Sequence, residues 1–453
     1  MTIRMKSQLI PKYAANVPRY TSYPTAPHFS DAVDGATYRE WLGQLDPAQE
    51  LSLYFHIPFC DTLCWFCACY TKIVNRYQPI ADYLETLLIE LKLTAERMEG
   101  RHRVQHLHWG GGSPTLLRPD DWRRMMDAIG DDFDIAASAE IAVELDPRDT
   151  TEDYVRALAA GGVNRVSIGV QDFHAQVQEA VNRIQPFEVT RRVVGWLRDH
   201  GIDAVNMDLL YGLPHQTEAR ILDMVDKAVS MEPQRLALFG YAHVPWMKTH
   251  QRLIDEDALP GADERWRQAE AAAERLVELG YVRIGFDHFA KPDDSLAKSL
   301  ANRTLRRNFQ GYTADAAGAL IGLGASAIGM LPEGYVQNIA PLKDYTRALE
   351  AGRLATARGA QFTPEDNLRR EVIERILCDM EVDLNELCAR HGSDIAAFTK
   401  SLAALEPYIA DGICEVTGGT IRVADANRPF ARLVAAAFDA YLQPGAKRHA
   451  RAV

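Results

Sequence analysis

From about residue 50 the sequence changes rhythm, and this change limits the available folds more than any other feature. Short apolar, β-branched runs alternate with amphipathic stretches long enough for helices. The runs lie at 51–57, 106–111, 141–146, 165–171, 204–212, 235–244 and 281–290, and helices are predicted between them, for instance over 80–98, 187–200 and 263–279. The last of these places Trp266, Ala269, Ala273, Leu276 and Val277 at helical spacing and stops at Gly280, while 187–200 runs into Gly201. Glycine ends helices in this way because it adopts left-handed backbone without a Cβ clash. Near-continuous apolar strands alternating with helices pair in parallel, with the helices covering the outer face. Six or seven such units predict an α/β fold, an incomplete TIM-like (β/α)6 barrel; a flat doubly wound sheet is the competing arrangement. Polar residues favour the barrel, because His56, Gly110, Gly111, Gly112, Glu144, Gln171, Asp208, His243, Asp287 and His288 gather at the C-terminal ends of the runs. Barrel sites sit at that rim.

The flanks have a different texture. Residues 1–48 carry little periodicity but many turn formers and aromatics, including Val-Pro-Arg-Tyr-Thr-Ser-Tyr-Pro-Thr at 17–25, and are expected to form an arm lying over the site. The barrel is assigned to 49–335, a linker to 336–364 and a mainly helical C-terminal domain to 365–453. In that domain helices are predicted over 365–380, 383–391, 394–405 and 429–442. A hairpin over 413–416 and 420–423 turns at Gly418 and Gly419. Three helices with a hairpin resemble a winged-helix module. The chain's formal charge of −12 opposes DNA binding by such a module, so a lid or packing role is expected.

The same charge argues against any broad nucleic-acid surface but not against a local basic pocket. No window approaches the roughly 18 uncharged apolar residues of a membrane span, and the first twenty residues lack a signal-peptide pattern. A cytoplasmic monomer without membrane or nucleic-acid partners is expected. Of seven cysteines, four fall within 60–69, which points to metal or redox chemistry rather than a disulfide framework. Cys378, Cys388 and Cys414 are expected as small buried hydrophobes.

The cysteine segment reads His56-Ile-Pro-Phe-Cys60-Asp-Thr-Leu-Cys64-Trp-Phe-Cys67-Ala-Cys69, directly after the first strand. Iron–sulfur clusters are held by thiolates. Three thiolates on one loop, Cys60, Cys64 and Cys67, can wrap a [4Fe–4S] cubane and leave its fourth iron open. S-adenosylmethionine can chelate that iron through its amino and carboxylate groups. One-electron reduction of its sulfonium then yields a 5′-deoxyadenosyl radical, able to take an unactivated hydrogen, while the protein supplies orientation. The alternative is a structural zinc site with Cys69 as fourth ligand.

This loop is the signature of the radical S-adenosylmethionine superfamily. The chain further resembles the oxygen-independent coproporphyrinogen III oxidase (coproporphyrinogen dehydrogenase) family. The resemblance runs through Arg19-Tyr-Thr-Ser-Tyr-Pro-Thr-Ala, residues 51–74, His108-Trp-Gly-Gly-Gly-Ser-Pro-Thr, Glu144-Leu-Asp-Pro-Arg, Ile168-Gly-Val-Gln-Asp-Phe and Val181-Asn-Arg. It continues through Asn206-Met-Asp-Leu-Leu-Tyr-Gly-Leu-Pro, Tyr241-Ala-His, Asp287-His-Phe-Ala, Arg307-Asn-Phe-Gln-Gly-Tyr-Thr and Gly324-Ala-Ser-Ala-Ile, covering roughly 17–330. It implies conversion of two propionates of coproporphyrinogen III to vinyl groups, with loss of two CO2, to give protoporphyrinogen IX. It also implies an external electron donor and two S-adenosylmethionine molecules.

By this resemblance Cys60, Cys64 and Cys67 hold the cluster. Tyr54, Glu144 and the glycines 110–112 meet the first S-adenosylmethionine, with Glu144 on its ribose and the glycine backbone on its amino group. Gly112 and Ser113 face the second molecule, which Gln171, Arg183 and Asp208 hold. Phe66, Ala242 and Ile328 supply backbone or apolar contacts. Cys69 lies near the cluster without ligating it, and the loop at Tyr70 and Thr71 is expected to be one residue longer than in the family. Four substrate carboxylates require cations, and Arg19 and Arg306 or Arg307 are the candidates. Competing readings are a heme-binding relative without the activity, a radical enzyme acting on another tetrapyrrole, and a zinc-stabilised scaffold. Heme-binding relatives typically lack the Cys69-type cysteine and the arm, and this chain has both.

Overall fold

The computed structural model describes Leu9, Lys12, Tyr13 and residues 17–442; the parts of the expected arm and C-terminal domain at 1–8, 10–11, 14–16 and 443–453 lie outside the described residues. Six strands, β1 (Leu51–Ile57), β2 (Arg103–Gly111), β3 (Asp134–Leu145), β4 (Arg165–Gln171), β5 (Ala204–Tyr211) and β6 (Arg235–Gly240), pair in parallel in chain order. Helices between them include Gln78–Ala95, Pro119–Asp132, Phe187–Asp199 and Glu218–Val229.

The sheet continues beyond both ends of this series. β7 (Val282–Ile284) and β8 (His288–Ala290) form a hairpin whose second strand runs antiparallel to β6. A single strand was expected over 281–290; Gly285, at φ +56°, turns the chain inside that apolar run. On the other side, β9 (Ala319–Leu323) lies parallel to β1, with Leu51 opposite Ala319 and Phe55 opposite Leu323. β10 (Ile328–Leu331), β11 (Gly334–Asn338) and β12 (Thr356–Gln361) extend it antiparallel. The order is β12-β11-β10-β9-β1-β2-β3-β4-β5-β6-β8-β7, with no bonding between β12 and β7, so the barrel stays open at one side. The segment 336–364, expected as a linker, carries the end of β11, the helix Leu342–Glu350 and β12.

Side-chain alternation gives this barrel its purpose. On β4, Val166, Ile168 and Val170 are buried under the helices, while Arg165, Ser167, Gly169 and Gln171 are half-buried; on β5 the same split separates Val205, Met207 and Leu209 from Asn206 and Asp208. Successive residues point to opposite faces of a strand. The apolar set therefore forms the shell between sheet and helices, and the polar set faces an accessible lumen.

The C-terminal unit begins with a capping box, in which the Thr363 and Asp366 side chains each accept from the other's backbone N–H, and its helix Pro364–Asp379 ends at Met380 with φ +57°. The helices Leu384–Arg390 and Thr399–Ala410 follow, with a small sheet in which Thr420–Val423 is flanked by Glu381–Asp383 and Cys414–Thr417. The helix expected over 429–442 is shorter, a 3-10 turn Asp425–Phe430 followed by Ala431–Ala436. Cys378, Cys388 and Cys414 are buried. The core of this unit takes in Tyr20 and Tyr23 of the arm. The Tyr20 hydroxyl donates to Asp439 at 3.0 Å and the Ala440 N–H to the Tyr23 hydroxyl at 3.1 Å. Arg19 reaches the other way, to the Gly240 carbonyl at the end of β6 (3.1 Å).

Candidate active site

The cysteine loop leaves β1 and is fastened on every side. Phe59–Cys60 pairs in parallel with Lys72–Ile73. The N–H groups of Gly112 and Ser113 donate to the carbonyls of Ile57 (2.8 Å) and Phe59 (2.7 Å). A Cβ on Gly112 would sit 2.5 Å from the Phe59 carbonyl, and one on Gly111, at φ +111°, would fall on the His56 ring. The glycine run therefore lets β2 close against the loop and the strand that carries it. From the loop after β4, the Asn182 side chain donates to the Leu63 carbonyl (2.8 Å) and Trp65 N–H donates to Val181 (3.0 Å). From the segment after β6, Lys248 donates to the Cys69 carbonyl (3.1 Å), His250 bonds that of Cys67 (2.7 Å), and buried Gln251 donates to the carbonyls of Phe66 (3.1 Å) and Ala242 (3.3 Å).

The thiols have distinct surroundings. Cys64 is buried and accepts from Arg183 at 3.4 Å and Arg148 at 3.6 Å. Both guanidiniums pair with Asp146, at 3.0 and 2.6 Å, and Arg183 also donates to the Gly169 carbonyl at 2.6 Å. Burial pushes the Asp146 carboxyl up, but the two arginines outweigh it and hold it at about 2. Burial, then the neighbouring thiols, push Cys60 up to about 12. A hydrogen bond from the Cys69 thiol draws Cys67 down to about 6. Thiol–thiol hydrogen bonding at Cys67 favours sulfur held as thiolate, the form a cluster binds.

Around the loop stands the rim. Glu144 accepts from Gly111 N–H at 3.0 Å and bonds His108 at 3.3 Å. These partners overcome the upward push of burial and keep its carboxyl below the usual range. Tyr54 bonds His56 Nδ1 at 3.0 Å, and His56 Nε2 lies 3.2 Å from the Tyr70 carbonyl. Asp208 accepts from Asn206 (3.0 Å) and Ser167 (3.3 Å); burial, then the charge of Glu144, push its carboxyl up to about 6. Gln171 ends β4 at φ +68°. Ile328 starts β10 beside Gly322, which pairs in register with Tyr54. The structure thus brings Cys64 to Arg183, Glu144 to Gly111, and Phe66 to Ala242 through Gln251. Ser113 precedes the 3-10 turn Pro114–Leu116, and its hydroxyl bonds that of Thr115.

Several supporting residues escaped the sequence reading. Asp146 and Arg148 lie in the Glu144–Arg148 motif and were within reach of it; Lys248, His250 and Gln251 carry no periodic signal. Glu90 is another. Buried on the helix Gln78–Ala95, it accepts from Gly324 N–H (2.6 Å), Asn338 (2.6 Å) and the Tyr345 hydroxyl (2.5 Å), fixing the turn between β9 and β10. Tyr83 on the same helix donates to the His56 carbonyl at 2.7 Å.

The residues present fit a cluster and an amino-acid-bearing nucleoside. Three thiols come from one loop, one of them beside two guanidiniums. Arg183 Nε and Asn206 Oδ1 are buried with no hydrogen-bond partner among the described residues, so the rim keeps a donor and an acceptor in reserve. Residues 54–228 match the model of the Radical SAM superfamily. Fold and cysteine loop together define a radical S-adenosylmethionine enzyme, a class that implies a [4Fe–4S] cluster and S-adenosylmethionine. Residues 362–430 match the HemN C-terminal domain. The chain is 51% identical over 450 residues to an oxygen-independent coproporphyrinogen III oxidase of Bradyrhizobium diazoefficiens, covering 99% of this chain and 100% of that one. It is 40% identical to a namesake in Salmonella typhimurium, covering 97% and 96%. The solved coproporphyrinogen III oxidase of Escherichia coli, described as a radical SAM enzyme, superposes with a TM-score of 0.90 at 36% identity, covering 96% of this chain and 99% of that one. The chain belongs to the oxygen-independent coproporphyrinogen III oxidase family.

Proposed function

We propose that the chain carries out the oxygen-independent oxidative decarboxylation of two propionate side chains of coproporphyrinogen III to vinyl groups, giving protoporphyrinogen IX in heme biosynthesis. The observation that carries this reading is the Cys64 thiol, hydrogen-bonded by Arg183 and Arg148 at the rim of a polar lumen that also presents Glu144 and Asp208. When bound, the cluster and S-adenosylmethionine supply the one-electron chemistry that removes a hydrogen from the propionate β-carbon. Cys60, Cys64 and Cys67 would hold the cluster. Glu144, ionised at neutral pH, would accept ribose hydroxyls, with Tyr54 and the backbone of Gly111 alongside. Gln171, Arg183 and Asp208, with Gly112 and Ser113, would hold a second S-adenosylmethionine. A ligand carboxylate reaching Arg183 competes there with Asp146 for the same guanidinium. Phe66, Ala242 and Ile328 would close the apolar sides. Arg19 and Arg306 or Arg307 would hold propionates, and the arm over the rim would keep water from the reacting carbon. The reading includes a cytoplasmic, monomeric enzyme reduced by an external electron donor.

The test is anaerobic incubation of reconstituted enzyme with coproporphyrinogen III, S-adenosylmethionine and dithionite. Protoporphyrinogen IX with two CO2 per substrate is the expected result. No product from enzyme with an intact cluster would move the reading to a heme-binding relative.

A further inference from the structure

Three successive backbone carbonyls at the end of β6 each accept a side-chain donor from a different part of the fold. Gly240 accepts from Arg19 of the arm at 3.1 Å, Tyr241 from Arg265 of the helix Ala262–Glu278 at 2.6 Å, and Ala242 from Gln251 at 3.3 Å. The side chains on either side of Ala242 are joined as well. The hydroxyl of buried Tyr241 lies 2.8 Å from His243 Nδ1, and His243 Nε2 lies 3.0 Å from the carboxylate of Glu256, in the 3-10 turn Glu256–Ala258. A carboxylate only accepts, so Nε2 carries a proton, and in the neutral ring Nδ1 accepts from the tyrosine hydroxyl. The turn is itself anchored, because its Ala258 carbonyl accepts from His215 N–H at 3.0 Å. The peptide between Tyr241 and His243 is therefore held on its carbonyl and through both neighbouring side chains. Ala242 is half-buried, and among the described residues its N–H makes no hydrogen bond, so this fixed peptide keeps a donor for a ligand. His243, a rim residue by sequence, takes no part in the chemistry proposed above.

We propose that Tyr241, His243 and Glu256 form a positioning relay that fixes the Ala242 peptide as a backbone contact for the second S-adenosylmethionine. The inference rests on the two-molecule reading above, in which Ala242 lines the site, and adds three residues that act through that peptide without touching the ligand. A donor already held in place costs little ordering when a ligand takes it. Gln251 grips the same peptide from the cysteine-loop side and also serves the Phe66 carbonyl at 3.1 Å, so its loss disturbs cluster and cofactor together. The relay runs the other way, from Tyr241 out to exposed Glu256, and makes no bond to the cysteine loop. Its loss reaches the second cofactor and spares the cluster.

The test counts S-adenosylmethionine bound per cluster by anaerobic equilibrium dialysis of the reconstituted enzyme. The parent should bind two molecules. Tyr241→Phe, which removes only the hydroxyl, and His243→Leu should each weaken the second molecule about tenfold. Iron content, cluster absorbance and affinity for the first molecule should stay unchanged. His243→Gln, able to accept from the hydroxyl and donate to Glu256, should recover part of the loss. Glu256→Ala, at an exposed position on which folding does not depend, should weaken the second molecule in the same direction. Unchanged affinity for the second molecule in the folded variants overturns the proposal. Equal weakening of both molecules, or loss of iron, also overturns it, because either marks a merely structural role. A parent that binds a single molecule defeats the two-molecule reading and this proposal with it; a parent that binds two beside unaffected variants defeats the proposal alone.

Discussion

Arg183 donates to the sulfur of Cys64 at 3.4 Å while paired with Asp146 at 3.0 Å, so one buried guanidinium joins the cysteine loop to the end of β3. Removing one partner of a buried pair costs about 3–5 kcal/mol. Since Arg148 still answers Asp146, Arg183→Met should fall at the lower end, about 3 kcal/mol by denaturant titration. Asp146→Asn, which takes the carboxylate charge from both arginines, should be at least as damaging, and the double variant should cost less than the sum of the two.

Asp208 gives the rim a pH dependence. With its carboxyl at about 6, it is ionised at neutral pH and protonated in mild acid. Calorimetric titration of S-adenosylmethionine into the reconstituted enzyme should show affinity falling about tenfold within one unit below that value. In Asp208→Asn that slope should vanish and the affinity should be low throughout.

Glu90 acts on stability in the opposite sense to a salt-bridged carboxylate. Burial pushes it up to about 7, so the folded state binds its proton more tightly than the unfolded chain does. Its effect on stability is therefore absent below the unfolded value, becomes unfavourable as pH rises from there, and is complete above about 7. The total is of order 3 kcal/mol. Glu90→Gln should lose this decline, so the stability difference between parent and variant shifts toward the variant between pH 5 and pH 8.

Gln251 is buried and serves Phe66, Ala242 and Val244. Gln251→Ala leaves those groups unsatisfied, costing about 1–3 kcal/mol locally. Iron loss to a chelator should be several times faster while far-UV dichroism stays unchanged. Gly112→Ala should lower bound iron further, because its methyl group meets the Phe59 backbone.

How far the sequence could be read depended on how local each signal was. β1 and β4 were found at their observed bounds because each is a seven-residue run enclosed by turn formers. Leu320 and Ile321 of β9 sit in a five-residue strand between Gly318 and Gly324, too short to distinguish from a loop, and its partner β1 lies far back in the chain. Over 281–290 the apolar composition concealed the one residue that mattered, Gly285. The cysteine spacing and the position of Glu144 beside the end of β3 were legible because the chemistry and the period-two pattern coincide there, while Asp208, expected at a strand end, lies three residues before the end of β5. Lys248, His250 and Gln251 were not legible, since only the return of the chain after β6 brings them to the loop.

The stitching of Tyr20 to Asp439 and of Tyr23 to Ala440 sets an order of events. A ribosome makes the arm before the barrel, and the atoms it binds come more than four hundred residues later. The barrel strands can pair as they emerge, one after the next. The arm settles only once residues 439 and 440 have been made, so its docking closes the sequence of events that the pairing of the barrel strands begins.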